Sequence, residues 1–145
     1  HPLILARGKR KYKGALSKTR SGPAGSTLCE RMSASSVLSL AKAYGLQKKY
    51  SKAVRAMRRV ESKMGRMRNK KLKSDAYRFY AEMLEFDFLR QYNDDAKEAN
   101  YGLLNRAIRQ WEKYRNFNRS VSTGAVREAE AKIAKLSKLK RELEY

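Results

Sequence analysis

The chain has 145 residues, a common size for one domain, and its 35 Lys and Arg against 14 Asp and Glu give a formal charge of +21. Self-repulsion at this charge density disfavours a compact monomer on its own, so the composition predicts an anionic partner: nucleic acid, an anionic membrane surface or an acidic protein. One cysteine and one histidine exclude an intrachain disulfide, a thiolate metal cluster and a histidine triad, and no apolar run approaches the ~20 residues of a membrane span.

Residues 1–32 form a predicted basic arm. Glycines and cations alternate there with almost no apolar periodicity beyond Leu5, so the arm is expected to be extended or disordered in isolation. Such an arm can follow phosphates into crevices that a folded domain cannot enter. The alternatives are a residual targeting leader and a solvated tail, and His1 at the first position leaves open whether a leader has been removed. The predicted RNA-binding residues of the arm are Arg7, Lys9, Arg10, Lys11, Lys13, Lys18 and Arg20.

The next two helices are predicted to form a hairpin. The first begins after Ser33, which suits an N-cap, and Gly45 marks its end. The second starts near Tyr50 and keeps one apolar stripe over nearly five turns, as far as Met67.

The opposite face of this second helix carries six cations at steps of three or four residues. That spacing places them along one side of a helix, where like charges repel each other unless an anion lies alongside. A solvated basic face is usually diluted with acids, yet Glu61 is the only acid between Glu30 and Asp75. We therefore predict a phosphate-contacting face made of Lys52, Arg55, Arg59, Lys63, Arg66 and Lys70.

A third helix is predicted from about Ser74 to Tyr92. It is apolar around most of its circumference, which is typical of a central helix. Its aromatic residues lie in an acidic stretch, so they are interpreted as core and not as base-stacking groups. The acids of residues 75–98 are expected to pair with the second helix or with a neighbouring protein.

A fourth helix is predicted to begin at a capping-box-like pair, Asp95 with Glu98, and to end near the start of the segment 113–120. That segment mixes aromatic, amide and cationic side chains. Two interpretations stay open for it: an ordinary loop between helices, or an RNA contact that combines base stacking on aromatic residues such as Phe117 with phosphate contacts from Arg115 and Arg119.

A fifth, amphipathic helix opens near Ser122 or Thr123. It is too short for a self-standing coiled coil, so it is expected to dock on the body or on a partner protein. The predicted fold is therefore all-α, with about five helices in a small bundle. Its parts are the arm 1–32, a helical body 33–121 and a C-terminal helix 122–145.

The stretch Leu40–Val60 resembles one tetratricopeptide-type helix pair. Small Ala41 and Ala53 would allow the two antiparallel helices to approach closely, although Lys48 stands where the turn glycine is usual. No second copy follows at the 34-residue period, so the peptide-binding groove of that family is not implied. The layout, a small helical body with a long basic arm, is similar to that of helical ribosomal proteins, in particular accessory subunits of organellar ribosomes.

These patterns predict a structural, rRNA-binding subunit of a ribosome, mitochondrial or otherwise organellar, or else of a cytoplasmic ribonucleoprotein. We expect no enzyme activity, cofactor, metal or small-molecule substrate, because no phosphate-binding Gly-rich loop or catalytic motif is present. Neighbouring proteins are expected to meet the acidic stretch 75–98 and the C-terminal helix. The alternatives are an accessory helical subunit of a membrane-associated respiratory-type complex and a DNA-compacting protein.

Overall fold

The structure is a computed structural model that describes residues 32–143, so the predicted contacts of the arm, from Arg7 to Arg20, lie outside the described residues. The described chain contains six α-helices and no strand, which confirms the predicted all-α fold. The helices are α1 (Ala34–Leu46), α2 (Tyr50–Arg59), α3 (Glu61–Met64), α4 (Lys70–Asp94), α5 (Gly102–Asn118) and α6 (Thr123–Leu143).

The described residues divide into two compact units, with the boundary between Asn69 and Lys70. We call the described part of the first the hairpin unit (α1 to α3) and that of the second the three-helix unit (α4 to α6). This division falls inside the predicted body 33–121. The C-terminal helix 122–145, expected to dock on the body or on a partner protein, packs onto α5 within the three-helix unit.

Helix α1 begins at Ala34, directly after the predicted N-cap residue Ser33. Ser33 has extended backbone, and its Oγ accepts a hydrogen bond from the N–H of Ser36 at 3.2 Å. The helix does not end at Gly45 but continues to Leu46, and the turn that follows places Lys48 at φ 60°. Helix α2 then returns along α1, and Ala41 and Ala53 are both fully buried between the two helices.

The predicted second helix of nearly five turns is wrong, because the chain breaks at Val60. This residue has φ −110° and ψ 8°, and its N–H donates to the carbonyl of Met57, three residues back, instead of four. The break turns the fully buried Val60 onto Ala34 and Val37 at the start of α1. Burial of this branched side chain favours the bend. The cations of α2 repel one another, so a longer continuous helix would gain little stability.

The prediction that α4 is the central helix is wrong: α4 buries many apolar side chains, but it packs chiefly against one neighbour, α5. Helix α5 packs against both α4 and α6. The largest side chains that these helices bury completely are Trp111, Tyr80, Phe88, Leu84, Leu104 and Leu136.

The predicted capping box at the start of the fourth helix is also wrong, since α5 begins only at Gly102. Asp95 Oδ1 instead accepts the N–H of Lys97 at 3.0 Å and closes a local turn after α4. Asn100 Oδ1 accepts the N–H of Gly102 at 3.0 Å, so an asparagine five residues further on supports the entry to α5. Both sites satisfy the same local chemistry, which is why the sequence pattern selected the wrong one.

Helix α6 begins where predicted, with Ser122 Oγ accepting the N–H of Ala125 at 3.1 Å. Its buried row is Ala129 and Leu136, which face the rest of the unit. Among residues 32–143, no helix has the length and apolarity to cross a membrane.

Candidate nucleic-acid interface

The outward face of α2 is formed almost wholly by cations. Ala53, Val54 and Met57 turn inward and are buried, which fixes the rotation of the helix against α1. Every other side of this short helix is left to polar residues. The exposed basic side chains on it, which we call the α2 face, are Lys52, Arg55, Arg58 and Arg59.

The hairpin unit offers the α2 face almost nothing to neutralise it. Between residues 32 and 69 the chain has ten basic side chains and one acid, Glu61. Lys52 Nζ lies 5.9 Å from the centroid of the Tyr44 ring, and Arg55 Nε donates to the carbonyl of Ser51 at 3.4 Å. These contacts orient the side chains but supply no negative charge. Within the part of the chain that the structure describes, no cation of the α2 face forms an ion pair.

The remaining members of the predicted basic row do not share this face. Lys63 lies on the single turn of α3 and is half-buried, and Arg66 is exposed in the segment that follows. Lys70 is exposed at the first position of α4, in the other unit. The prediction of one continuous six-cation face is therefore corrected: Val60 ends the face after Arg59.

The segment 113–120 is helical as far as residue 118, so it is not the interhelical loop of one interpretation. Tyr114 and Asn118 are buried, and Phe117 lies under Lys73, whose Nζ is 5.2 Å from its ring centroid. These aromatic and amide groups are engaged in packing and are not presented for base stacking.

The two arginines of that segment remain accessible. Arg115 Nε donates to Oδ1 of its neighbour Asn116 at 3.4 Å, and Arg119 is exposed at the C-cap of α5. Both belong to the three-helix unit, whereas the α2 face belongs to the hairpin unit. In the sequence pattern Phe117 and these two arginines are equally good candidates for an RNA contact, and only the packing of α5 distinguishes them.

The acids of the stretch 75–98 were expected to pair with the second helix or with a neighbouring protein, but Glu82 and Glu85 pair inside the three-helix unit. Arg78 Nη1 lies 3.2 Å from Glu82 Oε1 on the same helix, and Lys135 Nζ on α6 reaches the buried Glu85 at 3.4 Å. The first pair has the i,i+4 spacing that sequence can detect. The second depends on α6 folding back beside α4.

Comparison with known proteins adds no identity to this geometry: the chain matches no protein family, no curated protein and no solved structure. Function is therefore inferred from the charge and placement of its own residues. Among these, the α2 face is the largest set of exposed cations without an ion pair on any one described helix.

Proposed function

We propose that this protein is a structural RNA-binding subunit of a ribosome of the organellar, mitochondrial kind. The observation that supports the proposal most directly is the α2 face, four exposed cations without an ion pair among the described residues. The high net charge of the whole chain and the basic sequence before Ser33 add to it. In this role the protein has no catalytic activity; it holds RNA in place.

The α2 face suits a phosphate backbone in its dimensions. Lys52 and Arg59 are separated by about 10 Å along the helix axis, at 1.5 Å per residue. Successive phosphates of a nucleic-acid strand are a few ångströms apart, so a face of this length can oppose more than one of them. Contacts of this kind set the position of a protein on RNA and carry little sequence information. An RNA scaffold protein needs that property.

Neighbouring proteins are proposed to meet the three-helix unit. Glu82 and Glu85 are engaged inside it, but Asp94, Asp95 and Glu98 are exposed at the end of α4 and in the following turn. These three acids are available to a basic neighbour. The outer side of α6 is the second contact surface in the proposal.

The proposal is tested by neutralising the α2 face with Lys52→Gln, Arg55→Gln and Arg59→Gln together. All three side chains are exposed, so helicity and thermal stability should change little. Affinity for a structured RNA is measured across a salt series. The slope of log K against log salt should become shallower by about 2 to 3, since each lost phosphate contact removes roughly 0.7 to 0.9 from it.

A matched control removes three positive charges from the three-helix unit: Lys113→Gln, Arg127→Gln and Lys138→Gln. These residues are also exposed, so the net charge falls equally while the α2 face is intact. We expect a much smaller change of slope. Equal slopes for the two triple variants, or wild-type binding that ignores salt, would contradict the proposal.

Two further measurements separate RNA from the other anionic partners. Ribonuclease should release the protein from its native assembly, whereas a subunit held by anionic lipid would continue to sediment with membranes. Side-by-side titration should show weaker binding to duplex DNA than to folded RNA. Equal affinity for both would favour a DNA-compacting protein instead.

A further inference from the structure

The two flanks of α6 differ in how their charges are used. The buried row, Ala129 and Leu136, lies between them. The flank toward α4 carries Glu128 and Lys135, which pair with Arg78 and Glu85. On this side, opposite charges on α4 and α6 meet and hold the two helices together.

The other flank of α6 lines an open groove against α5. Because the helices are antiparallel, the first half of α5 lies beside the last half of α6. The groove has a volume of about 570 Å³, many times the roughly 30 Å³ share of one liquid water. Its lining residues are Asn105, Ile108, Arg109, Glu112, Ser137, Lys140 and Arg141.

The charges in this groove are not balanced by one another. Three of the lining residues are cations and one, Glu112, is an acid. Arg109 and Arg141 are exposed, and within residues 32–143 neither they nor Glu112 form an ion pair. The side chains of Asn105 and Ser137 add neutral hydrogen-bonding groups. Cations with amide and hydroxyl groups around an open, wet groove are the chemistry that contacts phosphate and sugar oxygens.

We propose that the groove between α5 and α6 is a second RNA-backbone contact, so that one chain joins two RNA segments. The inference rests on the proposed function and extends it. The α2 face and the groove belong to different compact units, and each has its own set of cations. One RNA segment binds at each unit, and the polypeptide that joins the two units connects the RNA segments.

The test uses the full chain and two short RNA duplexes, one labelled with a donor dye and one with an acceptor. Wild-type protein should bring the duplexes together and produce energy transfer. The groove variant Arg109→Gln, Lys140→Gln and Arg141→Gln should still bind a single duplex, because the α2 face is unchanged. Its energy transfer should fall at least fivefold, since each lost phosphate contact weakens binding by about fivefold near physiological salt.

The control is again Lys113→Gln, Arg127→Gln and Lys138→Gln, which removes the same charge from the same two helices outside the groove lining. It should retain energy transfer. If the groove triple variant loses helicity, Arg109→Gln with Arg141→Gln alone decides, because both residues are exposed.

Glu112→Gln gives a result of the opposite sign. Removing the one acid of the groove relieves repulsion against phosphate, so energy transfer should persist to higher salt than in wild type. Undiminished energy transfer in the groove variant would overturn this inference while leaving the proposed function in place. Failure of every variant and of the wild type to bind RNA at all would overturn both.

Discussion

Arg78 on α4 and Glu128 on α6 are joined by two parallel hydrogen bonds, from Nε to Oε1 and from Nη2 to Oε2, each 2.9 Å long. The hydroxyl of Tyr114 on α5 also donates to Glu128 Oε1, at 3.4 Å. The Glu128 carboxylate therefore links α6, to which it belongs, with both α4 and α5. Bidentate geometry of this kind fixes both distance and orientation between an arginine and a carboxylate.

Glu128→Gln should destabilise the three-helix unit by about 1 kcal/mol, because the charge-assisted pair is lost while both side chains stay partly exposed. Their exposed fractions, 43% for Arg78 and 35% for Glu128, keep the expected cost modest. The measurement is the free energy of unfolding in urea. Lys138→Gln, which breaks an exposed 4.0 Å pair with Glu142, serves as the control and should cost less than about 0.5 kcal/mol.

Glu82→Gln should behave in the opposite way, although Glu82 also touches Arg78. Its 3.2 Å ion pair would by itself stabilise the charged form, but burial has the larger effect and raises the pKa of Glu82. For Glu128 the hydrogen bond from Arg78 dominates and lowers the pKa. At neutral pH we therefore expect Glu82→Gln to be neutral or stabilising, by less than about 1 kcal/mol. A loss as large as that of Glu128→Gln would contradict this account.

The two carboxyls also predict distinct responses to pH. The lowered pKa of Glu128 makes its contribution complete above the ordinary value of 4.5 and lost as the pH falls through the lower, folded value. The raised pKa of Glu82 makes its ionised form a cost above that raised value, and the cost disappears as the pH falls to 4.5 and below. Unfolding of each variant against wild type across acid pH should show the Glu82 difference vanish as the pH falls to 4.5, while the Glu128 difference persists there and shrinks only at lower pH.

Lys48→Gly should stabilise the hairpin unit by about 0.5 to 1 kcal/mol. Lys48 has φ 60°, a left-handed conformation that costs a non-glycine residue roughly 1 to 2 kcal/mol. Glycine removes this cost, but part of the gain is cancelled because glycine loses more conformational entropy on folding. Gln47→Gly is the matched control one position earlier, where φ is −89°. Glycine there should destabilise by about 0.5 to 1 kcal/mol. Unfolding temperatures that shift in the same direction for both variants would contradict the left-handed conformation of Lys48.

Asn118→Ala should destabilise the three-helix unit by about 1 to 2 kcal/mol. The buried Nδ2 donates to the carbonyl of Tyr114 at 2.9 Å and to Ser74 Oγ on α4 at 3.0 Å, so the substitution removes both bonds. Ser74→Ala removes only the second bond and should cost less in the same denaturant titration. An equal cost for the two variants would mean that the bond within α5 contributes nothing.

Phe117→Leu and Arg119→Gln should separate packing from RNA contact in the segment 113–120. Phe117 lies under Lys73, so its truncation should lower stability by about 1 kcal/mol and leave RNA affinity within a factor of two. Arg119 is exposed, and its loss should weaken RNA binding by about fivefold with little effect on stability. The reverse pattern in a paired affinity and stability measurement would restore the base-stacking interpretation for Phe117.

Sequence reasoning located the helices whose ends are fixed by local chemistry. Ser33 and Ser122 each place a hydroxyl where it accepts an N–H of the first turn, and both helices begin where predicted. The central helix of the three-helix unit was not predicted, because the apolar circumference of α4 pointed to α4, whereas α5 is the helix that packs against both of the others.

The errors arose where tertiary packing decided between local alternatives. No proline or glycine marks the break at Val60; the chain bends there because the valine is buried against Ala34 and Val37, more than 20 positions earlier. Likewise, nothing local distinguishes Lys135, which pairs with Glu85, from the unpaired Arg141 on the same helix. The sequence therefore predicted the cations of the α2 face, but the predicted continuation of that face beyond Arg59 to Lys70 was wrong.

The segment between α3 and α4 joins the two compact units, and it contains two exposed arginines, Arg66 and Arg68, outside any helix. Trypsin cleaves after arginine where the backbone is accessible and not held in a helix, and this segment of turns and bends meets that requirement. Brief digestion should therefore cut the chain into a hairpin fragment and a three-helix fragment. Bound RNA that covers these arginines would slow the cut, so protease sensitivity at this junction becomes a direct readout of occupancy.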